Sequence, residues 1–201
     1  MRLAALALGV ALVATACSTG GGDGERAAPT TTTAPVAAPA VDPSCPTFHG
    51  STGSLASSGQ RPAGLLVGAT AGTVGCLDRV TFEFESLGDG LPPGYRVGYR
   101  DLEAEPLLDE NGNEMSFPAT AILVVTISPA ASVDLRVPEE PRPQTYRGNL
   151  RLAYGETHHL EIVQKVPDGL GVVEWAIGLD SVRPFVVDSA MSPPRVSVYI
   201  G

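Results

Sequence analysis

The sequence is poor in cationic side chains, and this shortage excludes several classes of partner. Its 201 residues contain 13 Lys and Arg against 22 Asp and Glu, which gives a formal net charge of −9 at pH 7. Lys165 is the single lysine, so the chain offers no polybasic segment to a membrane surface. A surface of this sign repels nucleic acid and other polyanions, and we therefore predict no nucleic-acid partner.

The chain also lacks the short motifs of common enzymes. It contains no Gly-x-Ser-x-Gly turn, no Walker loop and no Gly-x-Gly-x-x-Gly after a strand pattern. No Ser or Asp stands beside a plausible base in the sequence, although distant residues can assemble a catalytic pair in space. The absence of these motifs favours a protein that is not an enzyme and that needs no cofactor.

Glycine and proline, in contrast, are abundant, with 23 and 18 residues. Proline breaks helix interiors, so this composition favours many short strands separated by turns. Apolar residues alternate along several stretches, such as Val173, Trp175 and Ile177, and such alternation places one side of a strand in a core. We predict an all-β fold, a single β-sandwich of roughly nine short strands over residues 44–201.

Two alternating stretches lie on either side of a turn-rich segment. In residues 80–84 apolar side chains alternate with Thr and Glu, and in residues 95–99 they alternate with Arg and Gly. Residues 88–94 between them are rich in glycine and proline, which predicts a hairpin that pairs the two strands. The outward glutamates would then face the outward arginines, and such opposite charges help to fix strand register.

Two further patterns predict strands. Residues 121–127 are apolar on both parities, which indicates a central strand covered on both faces. Leu150, Leu152 and Tyr154 alternate with other residues and predict another strand. Trp175 could stack on a sugar, but it shares its parity with other apolar residues, which favours a position in the core.

Two polar segments resemble metal sites, and both have simpler interpretations. Residues 156–161 contain two histidines, but on a strand each face would offer only two ligands where a catalytic zinc takes about three. Asp109, Asn111 and Asn113 resemble a calcium loop, yet the glycine and distal glutamate of an EF-hand are not in place. The Asn-Gly pair at 111–112 is a strong hairpin signal, so we predict a turn and no metal site.

The N-terminus predicts export and lipidation. Residues 1–16 carry one positive charge, Arg2, followed by a small and apolar run that is too short for an ordinary membrane-spanning helix. Cys17 follows small residues, as in bacterial lipoprotein signals, in which a lipidated Cys becomes the new N-terminus. Residues 17–43 consist mainly of Gly, Thr, Ala and Pro. They cannot bury enough apolar surface to fold, so we predict a disordered tether.

Two cysteines remain after Cys17 is assigned. In an exported domain, Cys45 and Cys76 most simply form one disulfide. The alternative is two reduced, unrelated thiols. The Ser/Gly-rich residues 50–59 between them are typical of a loop that such a bond would hold.

Two acidic segments echo each other, Leu77-Asp78-Arg79-Val80 and residues 179–185. A functional interpretation is a polar site shared by two related halves of the domain. The simpler interpretation, which we favour, is an aspartate that accepts backbone N–H groups in a turn, with an arginine paired nearby.

Several of these segments together resemble one protein family, the AMIN-like domain of bacterial lipoproteins. The segments are Leu-Asp-Arg-Val-Thr-Phe-Glu-Phe (77–84), Leu-Pro-Pro-Gly-Tyr-Arg-Val (91–97), Trp-Ala-Ile-Gly-Leu-Asp-Ser-Val-Arg-Pro-Phe (175–185) and Pro-Pro-Arg-Val-Ser-Val-Tyr-Ile (193–200). The resemblance covers residues 62–201. It implies a β-sandwich related to the AMIN domains, which are non-catalytic targeting modules thought to bind peptidoglycan. No set of binding residues carries over from it.

We therefore expect a lipid-anchored protein on the extracytoplasmic face of a cell membrane, with a non-catalytic module for binding or localisation at the envelope. Peptidoglycan or an envelope protein is the expected partner. The candidate ligand-binding residues are Arg79, Arg183 and Tyr199, of which Tyr199 lies opposite in parity to its apolar neighbours and is expected to be exposed.

Two alternatives of other classes stay open. An envelope hydrolase would need a convergent cluster around His158, His159 and Glu161. A small-ligand carrier would need a sizeable apolar cavity.

The assignment of Cys17 predicts a specific modification. Mass spectrometry of the membrane fraction should find a diacylglyceryl cysteine at the N-terminus of the mature chain. A soluble product with an unmodified Cys17, or cleavage at another position, would contradict the prediction.

Overall fold

A computed structural model describes residues 45–201, which form two five-stranded sheets that pack as a β-sandwich. The predicted signal peptide, the lipidation site Cys17 and the whole of the predicted tether (residues 17–43) lie outside the described residues. The strands are β1 (Leu55–Ala56), β2 (Gly64–Val74), β3 (Leu77–Ser86), β4 (Gly94–Tyr99), β5 (Ala121–Ser128), β6 (Ala130–Ala131), β7 (Leu160–Gly169), β8 (Val172–Leu179), β9 (Phe185–Met191) and β10 (Pro194–Ile200).

The strand order is β1-β4-β5-β8-β7 in one sheet, called here the front sheet, and β6-β2-β3-β10-β9 in the other, called the back sheet. Neighbouring strands are antiparallel except for β2 and β6. Residues 45–201 contain no helix, and thus none that is long and apolar enough to cross a membrane. The all-β sandwich predicted from the sequence is confirmed.

The core lies between the sheets and is built from the alternating apolar positions of both. Trp175 is completely buried at its centre, with ring centroids 5.3 Å from Phe82 and 5.7 Å from Tyr146. Phe82 belongs to the back sheet and Trp175 to the front sheet, so this contact joins the two layers. The predicted core position of Trp175 is confirmed, and its burial rules out stacking on a sugar.

The predicted hairpin of residues 80–84 with 95–99 is wrong. β3 pairs with β2 and β10 in the back sheet, whereas β4 pairs with β1 and β5 in the front sheet. Residues 87–93 therefore carry the chain from one sheet to the other. Two strands that face each other across a core have the same alternation as two paired strands, which is why the pattern did not separate these cases. The proposed Glu–Arg ladder does not form between them.

β5 is a central strand with both faces buried, as predicted. Leu123 and Val125 point into the main core, and Ile122 and Val124 point away from it. The outer face is covered by apolar residues of the long β4–β5 connection. The members that come from this connection are Leu102, Leu107, Met115, Phe117 and Ala119.

The predicted strand over residues 150–154 is irregular. Only Arg151 forms a bridge, to Gln164, with backbone hydrogen bonds from Lys165 N to Leu150 O and from Leu152 N to Val163 O. The segment runs along β7 and covers the edge of the front sheet. An edge covered in this way offers few free N–H groups for pairing with another chain.

The predicted turn at 109–113 is present. The Asp109 carboxylate accepts the backbone N–H groups of Asn111 at 2.8 Å and Asn113 at 2.9 Å, and Gly112 adopts φ = +80°. Hydrogen bonds from Asn113 hold the pKa of Asp109 below its usual range. The three residues that resembled a calcium loop thus form a hydrogen-bonded turn.

A disulfide joins Cys45 to Cys76, with their Cα atoms 5.7 Å apart. Cys76 lies in the two-residue turn between β2 and β3, where Gly75 adopts φ = +62°. The bond therefore fixes the beginning of the described chain to one end of the sandwich. We call this the disulfide end, and the opposite end, where β4 begins and β5 ends, the far end.

Loss of this disulfide should destabilise the fold. The bond closes a loop with a sequence separation of 31 residues, so the double substitution Cys45→Ser/Cys76→Ser should lower the free energy of unfolding by about 3–4 kcal/mol. Urea denaturation followed by fluorescence of the buried Trp175 measures the change. A reductant should lower the wild-type midpoint and leave that of the double variant in place; an unmoved wild-type midpoint would contradict the prediction.

Candidate functional site

The segments that echo each other in the sequence meet at the disulfide end. Asp78, in β3, is completely buried and accepts three backbone N–H groups from the loop that enters β7. The donors are His158 at 2.9 Å, His159 at 2.6 Å and Leu160 at 3.0 Å. Bonds from N–H groups to a carboxylate are short and strong. Asp78 therefore holds the loop of the front sheet against a strand of the back sheet.

Asp180 follows β8 and is held by the residues that come directly after it. Arg183 donates from Nε at 3.1 Å and from Nη2 at 2.9 Å, and the Ser181 hydroxyl donates at 3.1 Å. The hydrogen bonds from Arg183 outweigh the opposing effect of burial and lower the pKa of Asp180 to about 2. The same contact raises the pKa of Arg183.

The two aspartates converge on the same histidine pair. His159 Nδ1 lies 3.3 Å from Asp180 Oδ2, and the Asp180 N–H donates to the His159 carbonyl at 3.1 Å. His158 Nε2 lies 3.3 Å from the carbonyl of Gly75 in the disulfide turn. The sequence argument placed both histidines on a strand, which is wrong, because β7 begins only at Leu160.

Tyr99, at the end of β4, completes this network. Its hydroxyl donates to the Arg183 carbonyl at 2.6 Å and accepts the Arg183 N–H at 2.7 Å. Burial raises the pKa of the Tyr99 phenol. Arg183 lies in the connection between β8 and β9, which passes from the front sheet to the back sheet. Tyr99 thus holds this connection through both the N–H and the carbonyl group of Arg183.

The network has little capacity left for chemistry on a ligand. His159 and Asp180 form the kind of pair in which a carboxylate orients a base, but the Ser181 hydroxyl donates to Asp180 and not to His159. A serine nucleophile needs the base within hydrogen-bond reach. Within residues 45–201, no group of three His, Cys, Asp or Glu side chains is arranged to hold a metal ion. The contacts observed are those of a structural network.

The predicted binding residues are divided between two places. Arg79 and Tyr199 are directly opposite each other on β3 and β10, on the outer face of the back sheet. Arg79 is exposed, whereas Tyr199 is partly buried and not fully exposed as expected. Next to them, Thr81 and Ser197 share a hydrogen bond of 3.0 Å between hydroxyls. Arg183 instead makes its side-chain bonds with Asp180 at the disulfide end.

Three further concave surfaces could receive a ligand. A cavity of about 410 Å³ lies beside the ion pair of Lys165 with Asp168, near the buried Ser132 hydroxyl. Two adjoining grooves of about 370 and 520 Å³ run along the outer face of β4 and share Arg96 and Thr126. The alternation along β4 predicts that the Arg96 side chain lies on the outer face. No pattern in the sequence predicts that Arg61 lines the same groove.

A family model, described as the AMIN-like domain, matches residues 64–201. The chain belongs to the AMIN-like domain family. The resemblance noted in the sequence is therefore confirmed. The match begins with β2 and contains every residue of the network around Asp78 and Asp180. No curated protein and no solved structure matches the chain.

Membership of the AMIN-like family gives the domain a coarse functional context. The family implies a location in the extracytoplasmic cell envelope and is associated with peptidoglycan. The disulfide is consistent with this context, because such bonds persist in oxidising compartments. The contacts at the disulfide end show that Asp78 and Asp180 serve the fold of this AMIN-like domain.

The low pKa of Asp180 makes the domain sensitive to acid. The native carboxylate has a pKa of about 2, whereas that of an unfolded Asp is about 3.9. Between these values only the unfolded chain binds the proton, so the free energy of unfolding falls as the pH is lowered from about 5 to about 2. The Asp180 side chain is 34% exposed, so screening by solvent keeps the contribution modest.

Asp180→Asn should therefore flatten the dependence of stability on pH between about pH 5 and 2. Thermal unfolding at a series of pH values measures it. Asp188→Asn removes an exposed carboxylate of β9 and should keep the wild-type slope. Equal slopes for wild type and Asp180→Asn would show that Arg183 does not hold the carboxylate as described.

Proposed function

We propose that this protein is a membrane-anchored lipoprotein whose AMIN-like domain binds or localises at the cell envelope without catalysing a reaction. The observation that carries the proposal is the family match over residues 64–201. The lipoprotein signal that ends at Cys17 supplies the anchor in this proposal, and residues 17–43 supply the reach of the tether.

The side chains at the disulfide end support a non-catalytic role. Both aspartates are occupied by protein donors, and the histidine that faces Asp180 has no hydroxyl nucleophile bonded to it among the described residues. An envelope hydrolase built on His158, His159 and Glu161 would need such a contact. The hydrolase is therefore the weaker candidate.

A carrier of small apolar ligands is also the weaker candidate. Such a site is lined mainly by hydrophobic and aromatic side chains. The cavity of about 410 Å³ is instead lined in part by Lys165, Asp168, Gln144 and Gln164. Its position beside an ion pair favours solvent or a polar group over an apolar ligand.

Peptidoglycan is the partner that we favour, in its neutral or zwitterionic parts. The acidic chain, with net charge −9, would be repelled by polyanions such as teichoic-acid-like polymers. Binding in this proposal depends on hydrogen bonds and on the partly exposed ring of Tyr199 beside Arg79. Arg183, which is paired with Asp180, contributes to the fold and not to the ligand.

Binding to purified sacculi should therefore vary little with salt, because few charges need to be screened. The detergent-solubilised full chain is incubated with sacculi from low to high salt, and the bound fraction is measured after sedimentation. Tyr199→Ala should reduce the bound fraction, while Leu170→Ala, at a fully exposed turn, should not. Tight binding that vanishes at moderate salt would indicate capture by charge alone and would contradict the proposal. No binding at any salt would direct the search to a protein partner.

A further inference from the structure

The larger of the two grooves on β4 has an unusual charge for this protein. Its volume is about 520 Å³, and it lies at the far end, where Gly94 begins β4 and Ser128 ends β5. Among the residues that the structure describes, Arg61 and Arg96 are its only charged lining residues, and no carboxylate of the described residues lines it. We propose that this groove binds a carboxylate group, such as those on the stem peptides of peptidoglycan. The inference rests on the proposed function, because it names the part of the wall that the domain holds.

Neither arginine has a partner among the described residues. Five cationic side chains of residues 45–201 form ion pairs with carboxylates, and they are Arg100, Arg136, Arg142, Lys165 and Arg183. Arg61 and Arg96 form no ion pair and no side-chain hydrogen bond within the same residues. In a chain with 22 acidic and 13 basic side chains, two unpaired arginines in one groove are a local reversal of charge.

The carboxylate of Glu174, on the same face of the front sheet, is already occupied. Glu174 accepts from Arg100 Nη2 at 2.9 Å and from the Thr126 hydroxyl at 2.9 Å. These bonds hold Glu174 beside the smaller groove, where Arg100 neutralises it. Arg96 is paired in register with Thr126 but makes no bond to Glu174. The positive charge of the larger groove is therefore left for an external anion.

The rest of the lining suits a ligand that carries hydrogen-bond acceptors. The Ser57 hydroxyl accepts the Tyr95 N–H at 3.0 Å, which leaves its own proton free to be donated. Gly94 keeps the floor of the groove open, because a Cβ there would lie 2.6 Å from the Ser128 carbonyl oxygen and 3.6 Å from Arg61 Cγ. Arginine forks match the two oxygens of a carboxylate.

The position of the groove favours a carboxylate of the wall over an anionic polymer. Two arginines can neutralise one or two charges, whereas the further charges of a polyanion would meet the acidic remainder of the surface. The groove also lies at the opposite end of the strands from Cys45, and an eight-residue strand is about 26 Å long. A ligand there does not compete with the attachment of the tether.

The test compares the full chain, solubilised in detergent, with two double variants of equal charge. Arg61→Gln/Arg96→Gln removes the groove cations, and Arg147→Gln/Arg151→Gln removes two exposed arginines near β7 that have no described ion pair. The probes are a muramyl pentapeptide with free carboxylates, the same peptide fully amidated, and a polyglycerol phosphate. Isothermal titration measures the dissociation constants, and sedimentation with sacculi runs in parallel.

The groove variant should bind the free peptide roughly 10- to 100-fold more weakly than wild type, as expected for the loss of charged hydrogen bonds. The control variant should bind like wild type, and the amidated peptide should bind wild type as weakly as the free peptide binds the groove variant. Suppose that wild type binds sacculi, that amidation of the peptide does not weaken its binding, and that the groove variant binds peptide and sacculi like wild type. This result would overturn the present inference alone. Preference for polyglycerol phosphate would overturn the choice of a carboxylate. Absence of binding to both sacculi and peptide would overturn this inference together with the choice of peptidoglycan as the partner.

Discussion

The buried carboxylate of Asp78 is the interaction on which the ends of both sheets depend. It sits in β3 of the back sheet and binds three successive N–H groups of the chain that enters β7 in the front sheet. Each of these groups would cost on the order of 1–3 kcal/mol if it were left without a partner. Because β7 pairs with β8 from Leu160 onward, the same carboxylate sets where that pairing starts. Asp180 contacts the same loop at His159, and Arg183 joins Asp180 to Tyr99.

The two ends of the sandwich therefore differ in how their polar side chains are used. At the disulfide end, polar side chains are used to hold one sheet against the other, and the cystine fixes the incoming chain to the same place. At the far end, the connections are short turns, and the polar groups of Arg61 and Arg96 have no internal partner among the described residues. The cluster of His and Asp at the disulfide end thus serves the fold, whereas the two arginines at the far end are the groups that we propose for a ligand.

The sequence was sufficient for the elements whose evidence is local. Alternation located Trp175 in the core, and apolar residues on both parities identified β5 as a central strand with two covered faces. It was insufficient for the pairing of strands, because alternation states which face is buried but not which neighbour shares the sheet. The error over β3 and β4 has this origin. The contacts of Asp78 and the meeting of Arg61 with Arg96 join residues 35 or more positions apart, and no local pattern encodes them.

The acidic charge of the chain suits the proposed location between a membrane and a wall that are both anionic. The net charge of −9 of the whole chain opposes adsorption along extended polyanions, since repulsion acts over about 8 Å at physiological salt. A pair of unpaired arginines acts at shorter range, where hydrogen bonds to a carboxylate can form. In the binding mode that we propose, the negative surface rejects polymers of many charges, and the one positive groove accepts a single carboxylate. The same two arginines on a basic protein would provide no such distinction.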